Sequence, residues 1–245
     1  MLTGIYIGTS GWSYPHWRKI FYPDDLKPTE YLSWYAKTFK VTEINTSFYH
    51  LPAAKTVKTW TETVPNGFRF CPKISRYITH MKRLLEPEST LPKFFDVFDQ
   101  IQKKLGPVLI QLPPNMHFDK DRLENFLATL TGTYKGYKFA LEARHDSWMN
   151  DAATNILKRY KIAWVISYSG NRWPGAEIVT ARHVYIRYHG PDGSFGTGYT
   201  SQQLNSFAEK IKKWKQQGHQ IWAFFNNDGH GYAVKNASSL ISLLK

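Results

Sequence analysis

Phe224-Phe225-Asn226-Asn227-Asp228-Gly229-His230-Gly231 carries an apolar run straight into amides, a carboxylate, an imidazole and two glycines. Such a run is a strand that ends in chemistry. The same grammar recurs upstream in Glu43-Ile44-Asn45-Thr46-Ser47-Phe48-Tyr49, in Phe139-Ala140-Leu141-Glu142-Ala143-Arg144-His145 and in Tyr185-Ile186-Arg187-Tyr188-His189-Gly190. Several strands therefore end in polar groups that can share one site.

Outward from these strand ends, short runs rich in β-branched and aromatic residues alternate with segments of helical spacing, the pattern of βα units around a parallel sheet. Strands are predicted at Ile5–Gly8, Val41–Asn45, Phe68–Lys73, Val108–Leu112, Lys138–Arg144, Ala163–Ser167, Val184–His189 and Gln220–Asn226. Leu91, Phe94, Phe95, Phe98 and Ile101 recur at helical spacing, as do Leu123, Phe126, Leu127 and Leu130. A third set, Leu204, Phe207, Ala208, Ile211 and Trp214, follows a capping box at Thr200 and Gln203. The 245 residues match the roughly 250 typical of a (β/α)8 barrel. No repeat or Gly/Ser linker divides them. The fold class expected is α/β, an eight-stranded parallel TIM barrel forming one domain over residues 1–245.

Composition bounds the function. Hydrophobic residues make up 42% of the chain, with 15 Tyr, 15 Phe and 9 Trp, enough to build a core without disulfides or metal. The single cysteine, Cys71, lies in an apolar strand and is expected to be a buried structural thiol. No uncharged apolar stretch approaches the ~18 residues of a membrane span, and Met1-Leu2-Thr3-Gly4 runs directly into a strand. A soluble, cytoplasmic protein is expected. The 32 Lys and Arg outnumber the 19 Asp and Glu, a net charge of +13 that attracts phosphates and other anions, nucleic acid among them. Part of that excess lies in helical segments such as Lys210-Ile211-Lys212-Lys213-Trp214-Lys215, where solvated lysines serve solubility.

In a parallel barrel the strand C-termini converge on one face. Side chains alternate with period two, which places Glu43 with Asn45, Glu142 with Arg144, and Arg187 with His189 on common strand faces. Lys73, Gln111, Ser167, Asn226 and Asp228 complete a polar ring. Charges inside a barrel must be paired or solvent-lined to offset their desolvation. Buried ion pairs of Glu142 with Arg144 or Arg187 are the structural alternative to a binding site, yet polar groups gather selectively at the strand C-terminal ends while the strand starts are mainly apolar.

Two connections exceed the usual loop length, Ser10 to Lys27 and Tyr168 to His183. Trp12, Tyr14 and Trp17 in the first, and Tyr168 and Trp173 in the second, are suited either to packing the loops down or to stacking on a ligand ring. After strand 7, Gly190-Pro191-Asp192-Gly193-Ser194-Phe195-Gly196-Thr197-Gly198-Tyr199 leads into the capped helix. Barrels often bind phosphate there, through loop N–H groups and a helix N-terminus. The run matches neither a Walker loop nor a dinucleotide fingerprint, so a plain flexible lid is equally open. HExxH, CxxC, EF-hand and nucleophile-elbow motifs are absent from the sequence. Glu142, His145, His189, Asp228 and His230 would serve a divalent ion, but no ligand spacing singles them out, and no cofactor is expected. Glu43, Glu142 and Asp228 also offer carboxylate pairs for glycoside chemistry.

These residues resemble the domain-of-unknown-function 72 family, the YecE-like proteins, almost end to end. The resemblance rests on Gly8-Thr9-Ser10-Gly11-Trp12-Ser13-Tyr14, Glu43 through Tyr49, Phe68-Arg69-Phe70 with Lys73, and Ile78-Thr79-His80. It continues through Gln111-Leu112-Pro113-Pro114, Glu142-Ala143-Arg144 with Ser147-Trp148, Tyr185 through Gly190, and Phe225-Asn226-Asn227-Asp228. It implies a TIM barrel and no particular reaction. Members also resemble in shape the endonuclease IV barrels, but this chain lacks that group's run of metal-binding histidines.

The expectation is an enzyme that binds a phosphate-bearing substrate, nucleotide or nucleic acid included, at the C-terminal mouth. Arg187, His189, Lys73 and the 190–199 loop would bind the anion. Glu142 or Asp228 would serve as general acid or base, with His189 beside them and Arg144 tuning Glu142. Glu43, Asn45, Gln111, Asn226, Asn227, Trp12 and Tyr49 would hold the substrate. A noncatalytic nucleic-acid or anion-binding protein and a carbohydrate-acting barrel are the alternatives. No membrane partner is expected, and the sequence names no protein partner.

Overall fold

The structure, a computed structural model, describes residues 2–245. Its eight parallel strands are β1 (Ile5–Thr9), β2 (Val41–Ile44), β3 (Arg69–Pro72), β4 (Val108–Gln111), β5 (Phe139–Glu142), β6 (Ala163–Tyr168), β7 (His183–Tyr188) and β8 (Gln220–Phe225). They lie in the order β3-β2-β1-β8-β7-β6-β5-β4. Bridges from Phe70 to Leu105 and from Lys73 to Leu109 bring β3 against β4 and nearly close the sheet into a barrel. Each predicted strand is present, most of them ending a residue or two earlier than expected. Backbone bonding still carries on a residue past several of these ends, as in Lys73 N–H to Ile44 O and Asn226 N–H to Tyr188 O.

Two apolar layers hold the barrel. Inside it Val41, Cys71, Leu109, Ala140, Val165, Tyr185, Trp222 and Phe224 pack across the axis. Cys71 is a free thiol at 0% exposure, and burial raises its pKa well above the usual thiol range. Outside, the helices press apolar stripes on the strands. The helix Ser201–Gln216 buries Leu204, Phe207, Ala208, Ile211 and Trp214, and its N-terminus is closed by the reciprocal bonds of Thr200 and Gln203. Helix Lys120–Thr133 buries Leu123, Phe126, Leu127 and Leu130 in the same way. The stripe from Leu91 to Ile101 is buried too, but it splits, with an α-helix over Pro92–Phe98 and a 3-10 stretch over Asp99–Lys104. No described helix is long and apolar enough to cross a membrane.

The sixth connection departs from an ideal barrel. Residues 169–182 run from β6 to β7 without a helix. Gly170, Pro174 and Gly175 break the segment, and its apolar residues never recur at helical spacing. What would have been an outer helix instead becomes a strap beside the barrel mouth.

Candidate functional site

The inward residues of the strand ends build one network. Glu43 lies one residue before the end of β2 and Glu142 ends β5, both at 0% exposure, and Arg187 near the end of β7 joins them at 1%. Arg187 grips Glu43 with a fork, Nε donating to Oε1 at 2.9 Å and Nη2 to Oε2 at 3.0 Å. Its third nitrogen, Nη1, donates to Glu142 Oε2 at 2.8 Å. A bidentate Arg–carboxylate pair is among the strongest and most directional of such contacts. Glu43 also accepts from Ser10 Oγ at 2.6 Å and from the Tyr185 hydroxyl at 2.8 Å. Glu142 accepts from Arg144 Nη2 at 3.2 Å, His189 Nε2 at 2.9 Å and, more weakly, Ser167 Oγ at 3.4 Å.

These contacts set the protonation states. Burial by itself would raise the Glu142 carboxyl, but Arg144, Arg187 and the His189 hydrogen bond outweigh it and hold it well below the usual carboxylate range. His189 is pushed down to about 4, chiefly by burial and further by Arg187 and Arg144, against the pull of Glu142. Its ring is therefore neutral. Nε2–H donates to Glu142, which leaves Nδ1 to accept from Asn226 Nδ2 at 3.2 Å. Lys73, at the end of β3 and 8% exposed, lies 3.8 Å over the Phe48 ring and donates to Gln111 Oε1 at 2.6 Å. Burial first, then Arg187 and Arg144, bring it down to about 7 against Glu142 and Glu43.

Two loops roof this network. Trp173 of the 169–182 strap lies on the Arg144 guanidinium at 3.8 Å and edge-on to the His189 ring at 5.1 Å. Phe195 of the β7 loop meets His189 edge-on as well, at 5.4 Å, and lies 6.1 Å from Trp173. The loops touch through glycine. A Cβ on Gly193, whose φ is +71°, would lie 2.2 Å from the Ser169 carbonyl oxygen.

The 190–199 loop is not the open phosphate cradle expected of it. Several of its donors are already occupied: Gly190 N–H binds the Tyr199 hydroxyl, Gly193 N–H the Gly190 carbonyl and Phe195 N–H the His189 carbonyl. The Asp192 carboxylate takes the place an external anion would fill, accepting from Ser194 N–H at 2.9 Å and the Thr197 hydroxyl at 2.7 Å. Those bonds pull Asp192 down to about 2. Arg187 likewise differs from the anion contact expected of it, because two buried carboxylates hold three of its nitrogens. Asn227 turns away from the mouth to donate to Thr197 O and Asn236 Oδ1, and it fastens a loop to the last helix. Tyr49 stands on the rim, 68% exposed, against Phe48.

Other expected residues line an adjoining cleft of about 530 Å³, among them Trp12, Glu43 and Asn45. Trp12 meets Trp60 edge to face, and Tyr14 completes an aromatic wall. Asn45 donates to Ser10 O at 3.2 Å while its Oδ1 is buried without a partner. Asp228 lies at the far rim with a side chain 28% exposed, 3.9 Å from His16 Nε2, and burial raises its pKa. Among the described residues no three His, Cys, Asp or Glu side chains converge as metal ligands would, and His145 instead bonds Ser147.

Sequence reasoning missed Ser10, Tyr185, Phe48, Trp60 and the stacking of Trp173 on Arg144. Tyr185 was within reach, since it lies two residues before Arg187 and so on the same inward face. Trp60 carries no such signal, because it comes from a helix that the tertiary fold alone brings to the cleft.

Residues 6–245 match the family described as "Protein of unknown function DUF72". The chain is 25% identical over 270 residues to the UPF0759 protein YunF of Bacillus subtilis (strain 168), covering 98% of this chain and 94% of that protein. It is 30% identical over 142 residues to the UPF0759 protein YecE of Escherichia coli (strain K12), covering 58% of this chain and 48% of the other. The crystal structure of a DUF72 family protein from Thermotoga maritima superposes with a TM-score of 0.88 at 26% identity, covering 98% of each chain.

Proposed function

The chain belongs to the DUF72 family, and from the residues at its barrel mouth we propose that it is an enzyme binding a phosphate-bearing or otherwise anionic substrate there, nucleotides included. One observation carries this: the mouth holds more buried cationic donors than its carboxylates engage. Arg187 takes up both Glu43 and Glu142, and Arg144 shares only one oxygen of Glu142. Arg144 Nε is buried with no partner, and Lys73 is in no ion pair among the described residues. A buried donor left unpaired is costly, and an anionic group entering the mouth would satisfy both residues.

The roles sort by position. Arg144 is the anion contact, and Lys73 adds a second donor beside it. Arg187, Glu43, Glu142 and His189 are positioning groups that fix the floor. Asp228, whose acid form burial favours, is the candidate for proton transfer. The aromatic cleft beside Glu43 suits a ring on the same substrate. A glycosidase reading is weaker. Asp228 could supply the acid there, but the ionised carboxylate that would have to work with it, Glu142, is taken up by Arg144, Arg187 and His189.

Calorimetric titration with inorganic phosphate and with a nucleoside monophosphate tests the proposal. Binding in the wild type should weaken about 10- to 100-fold in Arg144→Ala, the loss of one charge-assisted contact. The surface variant Lys212→Ala/Lys213→Ala should bind as the wild type does. Equal affinity in the Arg144 variant, or loss in the surface variant instead, would refute the site.

A further inference from the structure

We propose that Lys73 is a nucleophilic amine that condenses with the carbonyl of a small anionic aldehyde or ketone to form an imine in the barrel mouth. The proposal rests on the anionic-substrate reading above and gives that substrate a reactive group.

Placement supports it. Lys73 stands at the C-terminal end of β3, on the face where barrel enzymes carry their chemistry. It is buried to 8% exposure against the face of Phe48, and no carboxylate lies within ion-pairing distance of it among the described residues. A structural lysine at this depth would have such a partner. Its one hydrogen bond, to Gln111 Oε1 at 2.6 Å, aims the amine and leaves the nitrogen lone pair free once the group is neutral. Gln111 is itself fixed, its amide donating to Leu112 O at 2.7 Å. The neutral state is well populated near pH 7, because burial, then Arg187 and Arg144, oppose the charge more than Glu142 and Glu43 support it. His80, whose ring lies 4.9 Å from Phe48, is itself pushed down to about 4, first by burial and then by Lys73, so no second cation replaces the one removed. Arg144 is near enough for its charge to oppose that of Lys73, and its Nε is free for the substrate's anionic end.

The step balances without an outside oxidant or reductant. The Nζ lone pair attacks the carbonyl carbon, and the C=O π pair moves to oxygen, which takes a proton. The nitrogen gives up a proton, and the resulting hydroxyl leaves as water after a second protonation. A C=N bond has then replaced the C=O bond. The protonated imine draws electrons from the adjacent carbon and so favours proton loss or C–C cleavage there.

Trapping with a hydride donor tests this. Intact protein at pH 7 is incubated with glyoxylate, with glyceraldehyde 3-phosphate and with neutral acetaldehyde, each with cyanoborohydride, and the modified lysines are mapped by mass spectrometry. Lys73 should be labelled at least tenfold faster by the two anionic carbonyls than exposed Lys212 and Lys213, with its rate levelling off above about pH 7 while theirs keeps rising. Excess inorganic phosphate should protect it, and the fast phase should vanish in Lys73→Arg and Lys73→Met. Labelling of Lys73 no faster than Lys212 by all three carbonyls overturns the imine, even where phosphate still binds by calorimetry. Fast labelling by acetaldehyde and glyoxylate alike, unprotected by phosphate, upholds the amine and removes the anionic substrate.

Discussion

Arg187 decides the chemistry of its neighbours because, among the described residues, it is the only cation that touches both buried carboxylates. With its charge in place, Glu43 and Glu142 stay compensated at the centre of the mouth. Removing one partner of a buried ion pair strands the other, at a cost of about 3–5 kcal/mol. Arg187→Met should therefore lose about that much in urea unfolding, whereas Arg187→Met combined with Glu43→Gln and Glu142→Gln should recover a large part of it. A single variant that unfolds at the wild-type midpoint would show the network to be solvated. The sequence exposed half of this arrangement. Period-two alternation placed Glu43, Glu142 and Arg187 inward, but it could not pair them. The pairing joins residues 144 and 45 positions apart, a distance set by barrel closure. Arg187 looked like a free anion contact for that reason, and the residue with the spare donors is Arg144.

At the scale of elements, the strap and the β7 loop form a roof held from within. Arg172 Nη1 donates to Gly193 O at 3.1 Å, tying one loop to the other, and Asp192 holds the second loop in its turn. Asp192 is on the surface, so its bonds order the loop more than they stabilise the fold. Asp192→Ala should leave the thermal midpoint within about 1 °C and speed amide exchange across 190–197 several-fold, measured by hydrogen–deuterium exchange. Unchanged exchange would mean that Phe195 and Trp173 hold the roof without it. Glycine and proline made both loops visible in the sequence. Their closed state was not visible, because a loop of donors reads as an anion cradle until its own carboxylate is seen to fill it. The absent sixth helix was signalled in the same way, by aromatics without helical period.

The whole molecule carries buried titratable groups on both sides of neutrality, and these set its response to pH. His183 is pushed down to about 4 by burial, despite its bond to the Phe139 carbonyl, as His189 is. The unfolded chain protonates these rings near 6.5. Between pH 6.5 and 4 it therefore binds more protons than the native state, so stability is complete above 6.5 and falls as the pH drops toward 4. Glu142, with its lowered carboxyl, adds to the loss at the acid end. The two rings alone would contribute up to about 7 kcal/mol. Lys73 acts in the opposite range. Its amine titrates near 7 when folded and near 10.4 when unfolded, so the unfolded chain holds the extra proton between those values and stability rises with pH there. The slope from one such group is at most about 1.4 kcal/mol per pH unit. Chemical unfolding from pH 4 to 9 should show a steep acid limb and a rise above 7 in the wild type. Lys73→Met should keep the first and lose the second. A Lys73→Met curve that still climbs between pH 7 and 9 would mean that the lysine is charged in the folded barrel at neutral pH, held by a carboxylate contact that the closed mouth does not provide.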